Sequence, residues 1–187
     1  PLSQPPYGYM KDPNNKKKWI IEPEAAKVVQ DIFRMRLEGK GNETIARILF
    51  FFEKHWEELL KFSRRTRHQL ERWAARYGYK DKPKEILDHA KNGGDNGRYA
   101  CVNLYNSNTV EFRMFRGTLK VNTIIATLEL VDLICQYALT FDDEEIAKVS
   151  WTEFVEGIDK DLYPELITYL KERRLYINEP IDTAEEE

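Results

Sequence analysis

Residues 123–140 constrain this chain more than any other stretch. Ile124, Ile125, Leu128, Val131, Leu133, Ile134 and Cys135 fall on several sides of one predicted helix. A helix that is apolar all round has to be largely buried, so the rest of the chain must supply the elements that cover it. With 187 residues, 42% hydrophobic and 12% aromatic, it has the material for one generous domain or two small ones. Global disorder is not expected from such a composition.

The covering elements are legible as a change of hydrophobic period. Pro23, flanked by Glu22 and Glu24, suits the first turn of a helix in which Ala25, Val28, Val29, Ile32, Phe33 and Leu37 repeat at helical spacing. Gly39-Lys40-Gly41 ends it, and Asn42 is expected to cap a second helix running to Leu60. The pair fits a helix-turn-helix and equally a plain helical hairpin. Ser63 is expected to cap a third helix with Leu70, Trp73 and Tyr77 inward and Gly78 as its stop. A short helix near 84–91 leads into the loop Asn92-Gly93-Gly94-Asp95-Asn96-Gly97.

The period then becomes two. Residues 99–105 and 109–115 read as strands joined by Asn106-Ser107-Asn108. A second extended pair, residues 7–11 and 16–21, flanks the turn Asp12-Pro13-Asn14-Asn15 near the start. Helical pieces follow at 144–149, 151–158 and 164–175, with an acidic tail at 181–187 that is expected to be disordered. The predicted class is α+β: mostly helical, with a small antiparallel sheet (hairpin 99–105/109–115) packed by the buried helix 123–140. An exposed edge on that sheet would favour self-association.

Charge is distributed unevenly. The first 82 residues hold eighteen Lys and Arg against eleven Asp and Glu, whereas residues 141–187 hold five against fifteen. A basic front permits nucleic-acid contact and is equally a solvated face. No uninterrupted apolar run approaches 18 residues and no signal-peptide pattern opens the chain, so a soluble, cytoplasmic protein with no membrane partner is expected. Cys101 and Cys135 sit in apolar surroundings and read as reduced core thiols. The chain opens on Pro1, which reads as a fragment or processed product. His55, His68 and His89 lie too far apart for a metal motif, and Asp142-Asp143-Glu144-Glu145 reads as a helix start.

One strand carries unusual charge. In NTVEFRMFRGTLK, residues 108–120, alternation puts Glu111 and Arg113 on one face and Val110, Phe112 and Met114 on the other, and Arg116 breaks the pattern. Glu and Arg two apart are either a solvated ion pair, worth under about 1 kcal/mol, or part of a site for a charged ligand.

Two resemblances bear on that choice. PPYGYMKD, a basic turn, EPEAAKVVQDIF and EGKGNETIARIL, in residues 1–49, resemble the start of the DNA-binding domain of large serine recombinases. The resemblance implies phosphate contacts at Lys16, Lys17, Lys18, Arg34, Arg36 and Arg47, with DNA as a partner of residues 1–82. Strand-exchange chemistry is not implied, because Ser3 and Ser63 lack that family's flanking arginines.

Residues 50–180 resemble the C-terminal half of the amidoligase family, which is similar to carboxylate–amine ligases of the glutamate–cysteine ligase and glutamine synthetase type. FFEKHWEELLKFSRRT, ERWAARYG, GRYACVNLYNSNTVEFRMFRGTLKVNTIIATLELV and ELITYLKERRLYINEP carry the match. The junction of the two resemblances falls between Thr44 and Phe52. The resemblance implies amide-bond formation between a carboxylate and an amine, with ATP and Mg2+ as cofactors and a peptide or amino acid as substrate.

It also implies roles for particular residues. Glu111 would bind magnesium with Asn103 as a second oxygen ligand, and Arg113 and Arg116 would be the catalytic clamps on phosphate or carboxylate. Arg98, Gly117 and Thr118 would contact the nucleotide. The family's N-terminal half, with its further metal ligands, has no counterpart here, so turnover by this chain alone is not expected. The alternative is the DNA-binding component of a serine site-specific recombinase, and a third reading is an interaction protein without activity of its own.

Overall fold

The computed structural model describes residues 9–15, 17–21, 23, 41–92, 97–105 and 109–176. The first predicted helix beyond Pro23, the loop at 93–96, the hairpin turn 106–108 and the acidic tail lie outside the described residues. The fold is α+β and mostly helical, with two small antiparallel sheets of two strands each. The chain divides into two compact units, residues 1–42 and 43–187.

The first unit contains a hairpin of β1 (Tyr9–Lys11) and β2 (Trp19–Ile21), in the register Tyr9 to Ile21 and Lys11 to Trp19. Its turn is built by the residue types that favour turns. Asp12 Oδ1 accepts the Asn14 N–H at 2.8 Å and Asn15 Oδ1 accepts the Lys17 N–H at 3.1 Å. The Asp12 N–H closes the loop on the Lys18 carbonyl at 3.0 Å.

In the second unit, the long helix expected from Asn42 to Leu60 is two helices, α1 (Gly41–Lys54) and α2 (Trp56–Ser63). They join at His55, whose φ of −106° and ψ of 36° leave the helical region while the hydrogen-bond ladder continues on both sides. Asn42 lies inside α1 and is not its cap. Thr66, not Ser63, caps α3 (Arg67–Trp73): it accepts the Gln69 N–H while Gln69 returns a bond to the Thr66 N–H. Ser63 Oγ instead donates to the Leu60 carbonyl at 2.7 Å.

Helix α3 stops at Trp73, five residues before Gly78, because Ala75 leaves the helix to join a sheet. The Ala75 N–H donates to the Tyr99 carbonyl at 2.7 Å and the Cys101 N–H to the Ala75 carbonyl at 2.8 Å, a parallel bridge. Trp73 is consequently 44% exposed and does not point inward as expected.

After α4 (Pro83–Lys91) and one 3-10 turn at Gly97–Tyr99, β3 (Val102–Asn103) pairs with β4 (Glu111–Phe112). The expected hairpin is present but its strands are far shorter than predicted. Ala75 pairs with Ala100 just before β3, so a third short segment lies beside the start of the hairpin. Four more helices follow: α5 (Val121–Thr140), α6 (Asp143–Lys148), α7 (Trp151–Glu156) and α8 (Pro164–Glu172). Asp142 and Ser150 cap α6 and α7, each in a reciprocal pair with the glutamate three residues on.

The packing of α5 corrects the opening expectation. Its main partner is α8, not the hairpin, and it buries one face through Ala126, Leu130, Leu133, Ile134 and Ala138. Val121, Ile124, Ile125 and Leu128 stay exposed on the other face. Composition overstates burial here because the elements packed on α5, α8 chief among them, cover only one side of it. Contrary to the count of apolar runs, α5 is long and apolar enough to cross a membrane, although a core helix meets the same measure.

The core is aromatic. Phe50, Phe51, Phe52, Phe62 and Phe154 are fully buried. Phe51 meets Phe154 at 4.7 Å between ring centres and Phe62 meets Tyr169 at 4.7 Å. Phe52 reaches Phe112 at 5.7 Å and Phe115 at 6.3 Å, so α1 supports the hairpin from beneath. This support is what holds the charged face of β4 outward.

Candidate anion-binding site

The alternation in β4 aims its side chains as the pattern requires. Phe112 turns toward Phe52 and Met114 is fully buried, while Glu111 and Arg113 emerge on the opposite face. Together with Arg98, Tyr99, Asn103 and Tyr105 they line a cleft of about 480 Å³.

The polar groups in the cleft are bonded to one another. Glu111 Oε1 accepts Arg113 Nη1 at 3.0 Å, and Glu111 Oε2 accepts Asn103 Nδ2 at 2.8 Å. Asn103 Oδ1 accepts the Tyr105 N–H at 2.9 Å, which fixes the orientation of the amide. Arg113 Nε reaches the Trp73 carbonyl at 3.4 Å.

Tyr99 stands between two guanidiniums. The Arg98 carbon Cζ lies 5.0 Å from the ring centre and that of Arg113 lies 5.6 Å away, both within cation–π range. Arg98 Nη2 also donates to the Tyr99 hydroxyl at 2.9 Å. That bond, with the charge of Arg98 behind it, lowers the Tyr99 pKa from its ordinary value. Trp73 meets the same ring edge-on at 5.7 Å. Two arginines against one glutamate leave the cleft with a net positive charge.

Of the residues predicted for a ligase site, Arg98, Asn103, Glu111 and Arg113 are brought together. Arg116, Gly117 and Thr118 are not among the lining residues. Arg116 is exposed beyond the end of β4, and its N–H donates to the Ser63 carbonyl at 3.2 Å. Thr118 Oγ1 accepts the Lys120 N–H at 3.1 Å, just before α5, and Gly117 has no positive φ that would demand a glycine.

The cleft does not fit magnesium as predicted. Both oxygens of Glu111 accept N–H donors, Asn103 turns its NH2 toward Glu111, and the Asn103 oxygen is held by Tyr105. Magnesium is held by one or two carboxylates with free oxygens, waters completing its octahedron, and the one carboxylate of the cleft is already committed to two N–H donors. The arrangement suits a small anion, which the arginines and exposed hydroxyls can bind.

The nucleic-acid residues divide in the same way. Lys16, Arg34 and Arg36 lie outside the described residues, and Lys17 and Lys18 are exposed at the β1–β2 turn. Arg47 is not available to a phosphate. Its side chain is 15% exposed, with Nε on Asp143 Oδ1 at 2.7 Å, Nη1 on the Ala138 carbonyl at 3.3 Å and Nη2 near Glu43 at 3.8 Å.

Tyr99 and Tyr105 escaped the sequence reading. Their one visible signal was position, at the two ends of the predicted strand that also carries Asn103. No known family, curated protein or solved structure matches the chain.

Proposed function

We propose that the cleft around Arg98 and Arg113 recognises a carboxylate, as the substrate-binding corner of an amidoligase-like, carboxylate–amine ligase type of site. The observation that carries this reading is the pairing of Arg113 with Glu111 in an open cleft beside a second arginine. An incoming carboxylate can replace Glu111 on the Arg113 fork, or bind Arg98 and the Tyr99 hydroxyl beside it. Amide-bond formation in such a ligase draws on ATP and magnesium. The six lining residues supply recognition and orientation, and no activation step is assigned to them.

The test is thermal unfolding of the whole chain with a panel of amino acids and short acidic peptides, with and without ATP and magnesium. A carboxylate at a hundredfold its dissociation constant stabilises by about 2.7 kcal/mol. Arg98→Gln should abolish that gain without lowering the unliganded midpoint, because Arg98 is exposed. If no carboxylate shifts the midpoint, Glu111 and Arg113 are an ordinary surface ion pair.

A second reading, DNA contact by the first unit, rests on exposed Lys17 and Lys18 at the tip of its hairpin. It requires affinity for duplex DNA that falls steeply as salt rises and weakens in Lys17→Gln/Lys18→Gln. Binding that is insensitive to both would remove it.

A further inference from the structure

Three arginines outside the cleft carry donors and meet no acid among the described residues. Arg64 and Arg65 form the turn between α2 and α3, and Arg116 follows β4. Hydrogen bonds join the two segments. The Arg116 N–H donates to the Ser63 carbonyl at 3.2 Å, Arg64 Nη2 to the Arg116 carbonyl at 3.3 Å, and Arg65 Nη2 to the Phe115 carbonyl at 3.4 Å. The three side chains therefore start from one small area of surface.

Four arginines of this unit have carboxylate partners among the described residues: Arg47 has Asp143, Arg67 has Glu57, Arg76 has Glu53 and Arg113 has Glu111. Among the described residues, none of Arg64, Arg65 and Arg116 forms an ion pair. The Nε atoms of Arg64 and Arg65 are buried without any hydrogen-bond partner. Burial holds the Arg65 pKa below its ordinary value, with the positive charges of Arg113 and Arg116 as the next causes.

A purely structural role does not account for the cluster. The last carbonyls of α2 are already satisfied: Lys61 by Arg173, Phe62 by the Tyr169 hydroxyl at 3.2 Å and Ser63 by the Arg116 N–H. The bonds made by Arg64 and Arg65 to carbonyls are long. Arg64 also holds a left-handed conformation, φ 59°, which glycine adopts with less strain. Like charges gathered in partly desolvated positions without a counter-charge are costly, and a bound anion offsets that cost.

We propose that Arg64, Arg65 and Arg116 form a binding locus for an oligophosphate chain, beside the carboxylate cleft. Three guanidiniums exceed what one carboxylate can neutralise, and their forked donors match several phosphate oxygens at once. The locus stands on its own geometry and does not depend on the reading of the cleft.

The experiment is a calorimetric titration of the full chain with inorganic tripolyphosphate in metal-free buffer, with metal-free ATP as a second arm. Arg116→Gln is the main variant, since its exposed side chain holds no bond within the described fold and an unchanged melting midpoint checks folding. Binding should weaken by about tenfold or more in Arg116→Gln, as expected for loss of a charged hydrogen-bond donor. Arg65→Lys should fall between wild type and Arg65→Gln. Lys160→Gln, at an exposed lysine between α7 and α8, should bind as wild type does, and Arg98→Gln reports any share of the anion taken by the cleft. Tighter binding of ATP than of tripolyphosphate would identify a nucleotide as the source of the phosphates, and equal binding a free oligophosphate. Two results overturn the proposal: no tripolyphosphate binding by wild type, or binding that survives Arg116→Gln and is lost in Arg98→Gln.

Discussion

The buried carboxylate of Glu53 holds Arg76, with Arg76 Nε 2.9 Å from Glu53 Oε2. Its other oxygen accepts the Tyr77 N–H at 2.7 Å, and its side chain has no solvent exposure. The bond ties α1 to the segment 74–77, and through Ala75 to residues 99–103, the segment that carries Tyr99 and Asn103. The cleft is thus anchored by a charged group that never touches it.

Removing that group should cost stability and binding together. Glu53→Ala leaves the Tyr77 N–H and part of the Arg76 charge without their acceptor, and breaking such a pair costs about 3 kcal/mol. Arg76→Ala should cost at least as much, because it leaves the fully buried Glu53 carboxylate without its counter-charge, whereas Glu53→Ala leaves an arginine that is 40% exposed and can be hydrated. Urea unfolding gives both values. A negligible loss in Arg76→Ala would show that the ion pair is not the anchor.

His55 should make stability depend on pH. Its ring packs on Phe51 at 4.5 Å and Trp151 at 5.8 Å. Burial, and then the charge of Lys54, lowers its pKa from 6.5 to about 4, against a hydrogen bond with the Val149 carbonyl. The unfolded chain takes up the proton first, so the stabilisation is complete above 6.5 and is lost as pH falls toward about 4. The loss across that window should be on the order of 3 kcal/mol. Denaturant unfolding at several pH values should show the slope in wild type and lack this contribution in His55→Phe.

Helix α8 borrows its cap. Tyr163 provides none, and Glu129 of α5 accepts the Leu166 N–H at 2.6 Å. Glu129→Ala should therefore destabilise by about 1 kcal/mol, the usual worth of a cap. A melting midpoint unchanged from wild type would mean that solvent satisfies the amide equally well.

Arg64→Gly should exchange binding for stability. Glycine relieves the positive φ and is expected to add about 0.5–1 kcal/mol, reduced by loss of the bond to the Arg116 carbonyl. Tripolyphosphate binding should weaken in the same variant. Chemical unfolding and titration on one preparation report both effects.

Much of the hairpin and part of the site were legible in the chain. Period-two alternation put Glu111 and Arg113 outward and Phe112 and Met114 inward, and the structure keeps that division. Leu70 is fully buried, as its place on the inward face of the third helix implied. Asp142 caps α6 because the cap and its partner glutamate lie three residues apart. Each of these depends on neighbours a few residues away.

What the chain alone determined is therefore local: the type of most elements, the faces of the β4 strand and the acidic helix start. Tertiary structure decided the partners. Arg47, read as a phosphate contact, is engaged by Asp143, 96 residues away. Arg116, grouped with Arg113 by proximity in sequence, is drawn to Ser63 instead. Asn103 presents its nitrogen to Glu111 because Tyr105 holds its oxygen. The exposed half of α5 follows from having one helix as its main partner, where composition implied an enclosing core. Periodicity records which way a side chain leaves the backbone, but the group it meets there comes from a distant segment and is set only by packing.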